Sequence, residues 1–246
     1  MTSTPDEASP ARLWGRVAFT GRDGGVSTGV YASLNLGDHV GDDPVAVAAN
    51  RSTAAGRAGL AGDRLAIMRA AHGCDHAVAD RPGTYADVDI LVTTDPDLGL
   101  LALAADCVPL ALVDPEVGIA AAVHSGWRGV AADAAGAAVT AMTALGAEPR
   151  RLRVRIGAAI CPRCYEVSAD VRDQVAAAAP AAAAVTASGT PAVDLHAGVT
   201  EQLRRRGVTT IAADPTCTFE SPDFFSHRRD GVTGRHGVVV RLPEPA

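Results

Sequence analysis

Apolar and polar positions alternate most tellingly in the middle of the chain. Leu98 to Ala105 and Val108 to Val113 are almost unbroken apolar runs, parted only by Asp106-Cys107. Asp114-Pro115-Glu116 marks a turn, and Gly118 to Val123 is apolar again, ending at His124. Runs of this length bounded by turn residues predict buried strands. Shorter candidates are Trp14 to Thr20, Leu65 to Ala71, Arg153 to Ile160, Val208 to Ala212 and Gly237 to Leu242. Helical spacing runs through Pro44 to Leu60, with Pro44 in its first turn, where proline is favoured. Val130 to Leu145, a segment following Tyr165-Glu166-Val167 to about Ala179, and Asp194 to Arg206 complete the predicted helices. Val26 to Asp43 has no period and is expected to be an ordered loop, while Ala176 to Ala187 is low-complexity alanine. Strands and helices interleave without a βαβ rhythm, so mixed α+β layering is favoured over a doubly wound parallel sheet.

Composition narrows the picture. The 246 residues suit one large domain or two small ones, and 48% apolar content supplies a core that 4% aromatics make mostly aliphatic. No run reaches the roughly 20 apolar residues of a membrane span. Residues 1–11 lack the order of a signal peptide and are expected to be a disordered tail before a domain at 12–246, so the protein is expected to be cytoplasmic. A net charge of −6 without a basic block argues against nucleic-acid binding. All 22 basic residues are arginine, so Schiff-base, P-loop and Ser–Lys chemistries are excluded. Five cysteines are an odd number for a disulfide framework.

The candidate chemistry lies beside the central turn. If that turn centres between Pro115 and Glu116, Cys107 and His124 stand directly opposite on paired strands, where Cβ atoms are about 4.5–5.5 Å apart. That separation suits two ligands of one metal or a thiolate–imidazole pair. His72, at another strand end before Gly73, would make a His/Cys/His set suited to zinc with an open fourth position. By position alone, a Cys after an apolar run is also an ordinary small core residue and a His before Gly a turn residue, and spacing leaves both readings open. Cys161-Pro162-Arg163-Cys164 is a lone CxxC, which is insufficient for a structural zinc site, and Cys74 and Cys217 are expected to be structural.

These blocks resemble the laccase-domain family, YfiH-like proteins first described as multicopper polyphenol oxidases. The resemblance rests on His72-Gly73, on Ala105-Asp106-Cys107-Val108-Pro109-Leu110 and on His124-Ser125-Gly126-Trp127-Arg128-Gly129. It extends over Gly24-Gly25-Val26-Ser27, Ala32 to Gly37, Val40 to Asp43, Asn50-Arg51, Tyr165-Glu166-Val167, Cys217-Thr218 and Phe225 to Arg235. It implies an α–β–β–α sandwich, metal ligands at His72, Cys107 and His124, and a purine nucleoside enzyme acting on nucleosides and phosphate. Phosphorolysis of adenosine, inosine and S-methyl-5'-thioadenosine is implied, with deamination of adenosine. Zinc would activate water for deamination, and copper fits the same three ligands. Ala70 departs from the family pattern, since a Gln usually stands two residues before the metal His; Ala105 and Ala158 replace a usual Thr and Pro.

Phosphorolysis needs a phosphate clamp, for which the guanidinium fork is suited. Arg51, Arg128, Arg228, Arg229 and Arg235 are the candidates, with Arg128 favoured because it lies four residues beyond His124. Asn35 joins them as a substrate-binding candidate. Asp106 is a general acid/base or a residue that orients the ligand beside it. Three alternatives stand beside this reading. A copper polyphenol oxidase is disfavoured because the seven histidines form no His-x-His pair. A Cys107–His124 hydrolase editing peptidoglycan precursors and a non-catalytic interaction protein are the others. A monomer is expected.

Overall fold

The central apolar runs are buried on both faces, which is why their sequence does not alternate. The computed structural model describes residues 16–243, so the tail expected at 1–11 lies outside the described residues. The elements begin with β1 (Arg16–Phe19), α1 (Pro44–Arg57), β2 (Leu65–Arg69), β3 (His76–Val78), β4 (Gly83–Ala86) and β5 (Ile90–Thr93). There follow β6 (Gly99–Ala104), β7 (Val108–Asp114), β8 (Ile119–Ser125), α2 (Trp127–Ala131), α3 (Ala134–Ala144) and β9 (Arg153–Ile156). The chain continues through α4 (Ala169–Ala178), β10 (Ala183–Val185), β11 (Pro191–Val193), α5 (Leu195–Arg205), β12 (Thr210–Ala213), α6 (His227–Asp230) and β13 (His236–Arg241).

Two mixed sheets result, ordered β1-β13-β6-β2-β4 and β12-β9-β7-β8-β5-β3, beside a small β10-β11 pair. Odd and even positions of the same strands enter different apolar layers, as a two-residue period demands. Leu100, Ala102, Val238 and Val240 of the first sheet meet Leu91, Ala111, Val113, Ala120 and Ala122 of the second. Leu101, Leu103 and Val239 turn outward to Ala54, Ala55 and Ala58 of α1. Leu110, Leu112, Ala121 and Val123 turn outward to Ala138, Val139 and Met142 of α3 and to Val199 and Leu203 of α5. The order helix, sheet, sheet, helix is the expected α–β–β–α sandwich.

Several local expectations need correction. The β7–β8 hairpin pairs Asp114 with Ile119 and Pro109 with His124, so its turn centres between Glu116 and Val117. β7 runs one residue further than expected, because Asp114 pairs and its carboxylate accepts from Glu116 N at 3.1 Å, while Gly118, at φ 65°, stays in the turn and β8 begins at Ile119. Cys107 is therefore diagonal to His124, not opposite it. The helix expected at Val130–Leu145 is two helices, since Asp133 adopts a left-handed φ of 59° between α2 and α3. The strand expected at Arg153–Ile160 ends at Ile156, and α4 begins only at Ala169, where the Ser168 side chain caps Val171 N. β3, β4, β5, β10 and β11 have no counterpart in the apolar pattern. All are short, and only β5 is fully buried.

Candidate metal centre

His124 continues the face of β8 that carries Ala120 and Ala122 into the layer between the sheets, and it sits where that layer ends. Cys107 immediately precedes β7 on the same face, delivered by Asp106 at φ 86°. His72, at φ 64°, lies in the loop after β2 and is exposed. Their ligating atoms all lie within 4.8 Å of one another, and the two imidazoles meet edge to face with centroids 4.8 Å apart. Tetrahedral zinc bonds imply donors about 3.3–3.6 Å apart, so an ion would draw these atoms closer together. A Cβ at Gly126 would lie 2.7 Å from the Cys107 sulfur and 3.6 Å from the His72 ring, so the glycine keeps the space above the thiol open.

Asp89, which sequence reading overlooks, organises this triad. Its fully buried carboxylate accepts from His124 Nδ1 at 2.9 Å and from the backbone N–H groups of Ala71, His72 and Gly73 at 3.2, 3.0 and 2.6 Å. One carboxylate thus fixes the imidazole that presents Nε2 to the centre and the loop that carries the other histidine. A carboxylate behind a ligating His also sets its tautomer and raises its basicity. Burial would raise the Asp89 pKa, but bonds from His124 and the loop N–H groups hold it below the ordinary carboxylate value. For the protein groups alone, burial pushes the Cys107 thiol up, yet the adjacent His124 charge and hydrogen bonds from both histidines bring it down to about 6. Burial likewise disfavours charge on His124, and Cys107 and Asp89 outweigh it, raising its pKa to about 9. The centre therefore favours a deprotonated thiol, the form that binds metal.

The other residues singled out from sequence separate into two groups. Asp106 is buried; its Oδ1 accepts from Thr218 Oγ1 and its Oδ2 from Arg228 N, both at 2.7 Å. It ties the segment before α6 to the Cys107 loop. Arg128 is exposed and stacks on Trp127 at 4.3 Å. Arg228 stacks on Tyr165 at 4.9 Å and donates to Glu166 O at 2.8 Å. Arg235 donates to Thr233 O and Gly234 O, forms no ion pair among the described residues, and lies within reach of the Cys107 and Asp106 charges. Arg128 and Arg228 thus bear on Tyr165, and Arg235 on the thiol.

Asn35, Arg51 and Arg229 are committed to the protein instead. Asn35 is fully buried, accepts from Gly37 N and Arg235 N, and donates to Gly37 O and Asp42, so its amide is filled. Arg51 donates to Leu36 O at 2.9 Å and pairs with Asp38 at 3.2 Å. Arg229 forks onto Asp230 and donates to the carbonyls of Thr218, Phe219, Ser221 and Phe224. The type of each residue suggested a substrate contact, whereas its partners make it a loop clamp. Ala70 packs among the residues between the sheets.

A family model described as multi-copper polyphenol oxidoreductase laccase matches residues 16–243. A purine nucleoside phosphorylase of Streptomyces coelicolor is 51% identical over 229 residues, covering 91% of this chain and 94% of that protein. One from Mycobacterium tuberculosis is 47% identical, covering 92% and 91%. Among solved structures, YlmD from Geobacillus stearothermophilus superposes with a TM-score of 0.86 at 34% identity, covering 95% of this chain and 94% of that one. Bacillus licheniformis YfiH gives 0.85 at 28%, covering 92% of each. Among the described residues no helix is long and apolar enough to cross a membrane.

Proposed function

Because the chain belongs to the multi-copper polyphenol oxidoreductase laccase family, with phosphorylase-named relatives, we propose that it is a purine nucleoside phosphorylase working at the His72–Cys107–His124 centre. The observation that supports this reading best is the convergence of the three donors near Arg128, Arg228 and Arg235, which form no ion pair among the described residues. Adenosine, inosine and S-methyl-5'-thioadenosine are the substrates, and adenosine deamination is a companion activity. Zinc held by the three side chains would supply a Lewis acid and an activated water. Arg128, Arg228 and Arg235 gather the phosphate, whose oxygen bonds to the ribose C1' as the bond to the purine nitrogen breaks. The electron pair leaves with the base, which takes up a proton. Water delivers it, because burial raises the Tyr165 pKa and makes the phenol a weaker acid, a neutral ring on which Arg228 stacks. Asp106 acts by positioning, since both its oxygens are already bonded.

The test is a nucleoside panel assayed with and without phosphate on protein of measured metal content. Cys107→Ala should abolish both activities with an unchanged circular dichroism spectrum; near-normal turnover would place catalysis elsewhere. Arg128→Ala should weaken apparent phosphate affinity roughly ten- to hundredfold, the equivalent of one charge-assisted bond of about 1.5–3 kcal/mol. Adenosine deamination, which uses no phosphate, should persist in that variant.

A second reading has its own support. Cys107, His124 and Asp89 stand in the order of an activated thiol nucleophile, with the thiol at about 6 and the imidazole at about 9. A hydrolase of this kind would survive chelation and die on thiol alkylation, whereas the phosphorylase would lose activity under both. Copper suits the same donors, and phenol oxidation, if carried at this centre, would scale with copper content.

A further inference from the structure

Behind the wall of the centre lies a second convergence of ligands that the sequence presents as unrelated pieces. Cys161 and Cys164 occupy the turn after β9, and Cys217 and Glu220 occupy the turn after β12. Their Sγ and carboxylate atoms all lie within 4.8 Å of one another, and all three cysteines are free thiols. We propose that these four residues form a closed structural site for a borderline-soft divalent cation, zinc by its chemistry, distinct from the His72–Cys107–His124 centre.

The two turns present their side chains at the same spacing, though the first closes over three residues and the second over four. Each offers donors at positions i and i+3, the spacing at which paired zinc knuckles present ligands. In the first turn Cys164 N donates to Cys161 O at 3.0 Å, and in the second Ser221 N donates to Cys217 O at 2.9 Å. An isolated parallel bridge between Ala159 and Cys217 locks the turns side by side, with Thr218 N donating to Ala159 O at 3.1 Å. Cys161 N also points at the Cys217 sulfur at 3.3 Å, a bond that favours the thiolate. Three thiolates and a carboxylate would leave excess negative charge around a divalent ion. Arg163 offsets it, lying between the first pair and forking onto Glu220 at 2.9 and 3.0 Å.

A disulfide would use two of the sulfurs and leave the third thiol and Glu220 without a reason to converge. The cation accounts for all four. It also has a place in the architecture: Thr218, next to Cys217, donates to Asp106 and is held through its carbonyl by Arg229. A metal here would brace the segment that steadies the Cys107 loop.

Metal stoichiometry of the full-length protein decides the matter. Protein reduced without oxygen, loaded with zinc and dialysed against metal-free buffer should retain about two equivalents per chain. Cys107→Ala, which dismantles only the first centre, should keep about one. Loaded with cobalt, that same variant should show intense tetrahedral visible bands and thiolate-to-cobalt charge transfer, and adding Cys161→Ser and Cys164→Ser should erase them. Should the combined variant fail to fold, the Cys107→Ala spectrum still decides. Cys107→Ala protein that holds no zinc and lacks the cobalt bands, while Cys161, Cys164 and Cys217 react freely with a thiol reagent, would overturn the proposal. So would a native mass two hydrogens light, mapping a disulfide among them.

Discussion

Asp89→Asn is the sharpest perturbation available, because it alters one atom of a buried carboxylate that holds both histidines. In the native protein Oδ1 accepts from His124 Nδ1 and His72 N, and Oδ2 from Gly73 N and Ala71 N. An amide keeps one oxygen and turns the other into a donor, so two of these four bonds become donor–donor contacts in either orientation. At about 1.5–3 kcal/mol for each hydrogen bond to a charged group, the gross loss is about 3–6 kcal/mol. Relaxation of the exposed loop at 71–73 recovers part of it. If the amide nitrogen faces His124 instead, the imidazole must accept at Nδ1 and carry its proton at Nε2, the atom needed for metal. Either way, affinity for zinc should fall about 10–100-fold, as it does when a carboxylate behind a ligating histidine is removed. Competition against a chromophoric chelator measures this, and urea denaturation of the metal-free protein measures the stability loss separately. Asp87→Asn is the control, since Asp87 is exposed with φ 58°, a conformation asparagine tolerates. Zinc affinity within threefold of wild type in Asp89→Asn would refute the claim that Asp89 orients the centre.

Three further outcomes are expected. Gly126→Ala keeps an allowed backbone, with φ −89° and ψ −170°, but sets a methyl 2.7 Å from the Cys107 sulfur; it should empty the centre of metal while the melting temperature of the metal-free form stays put. Arg229→Ala should cost several kcal/mol, of the order of two lost charge-assisted bonds, in urea titration, and Arg229→Lys should not restore it, because an ammonium cannot span both Asp230 and the four carbonyls. His236 is buried beside Arg235, and burial followed by that charge lowers its pKa to about 3. Between the unfolded value near 6.5 and that folded value the unfolded chain binds the extra proton. His236 thus contributes stability in full above pH 6.5 and loses it as pH falls toward 3. His236→Phe should flatten the fall in melting temperature from pH 7 to 4, and parallel curves for variant and wild type would count against a buried neutral imidazole.

The central strands were legible where residues are buried on two faces, because β6, β7 and β8 produce apolar runs, whereas the four-layer sandwich was implied by the family resemblance. The fold was illegible where strands are three or four residues long and half exposed, as in β3 and β4, since so short a segment carries no period. The candidate ligands His72, Cys107 and His124 stood out at predicted strand ends, and the family resemblance, not their spacing, selected them. Their partners were hidden for a physical reason: Asp89 lies 35 residues before His124, and Cys161 lies 56 before Cys217. Sequence gives the type of a side chain and the fold gives its partners. Arginines were therefore nominated for phosphate by type, and Arg51 and Arg229 prove to be fastened to backbone carbonyls.

The misplaced hairpin shows what positions the centre. A one-residue displacement of the turn makes Cys107 and His124 diagonal neighbours, about 7–8 Å apart in a regular ladder, yet their donor atoms lie within 4.8 Å. An imidazole is long enough to bridge that backbone separation, but only in an orientation that other contacts must hold. Two buried carboxylates flank the thiol: Asp89 gathers the His72 loop and turns His124, and Asp106 gathers Thr218 and Arg228 around the loop that delivers Cys107. Each accepts from backbone, hydroxyl or imidazole donors on distant segments, which a buried carboxylate must do to offset its desolvation. The sheets thus bring the strand ends into one neighbourhood, and the carboxylates set the aim of the ligands. Substitutions that alter the β7–β8 turn should accordingly disturb metal binding less than those that neutralise Asp89.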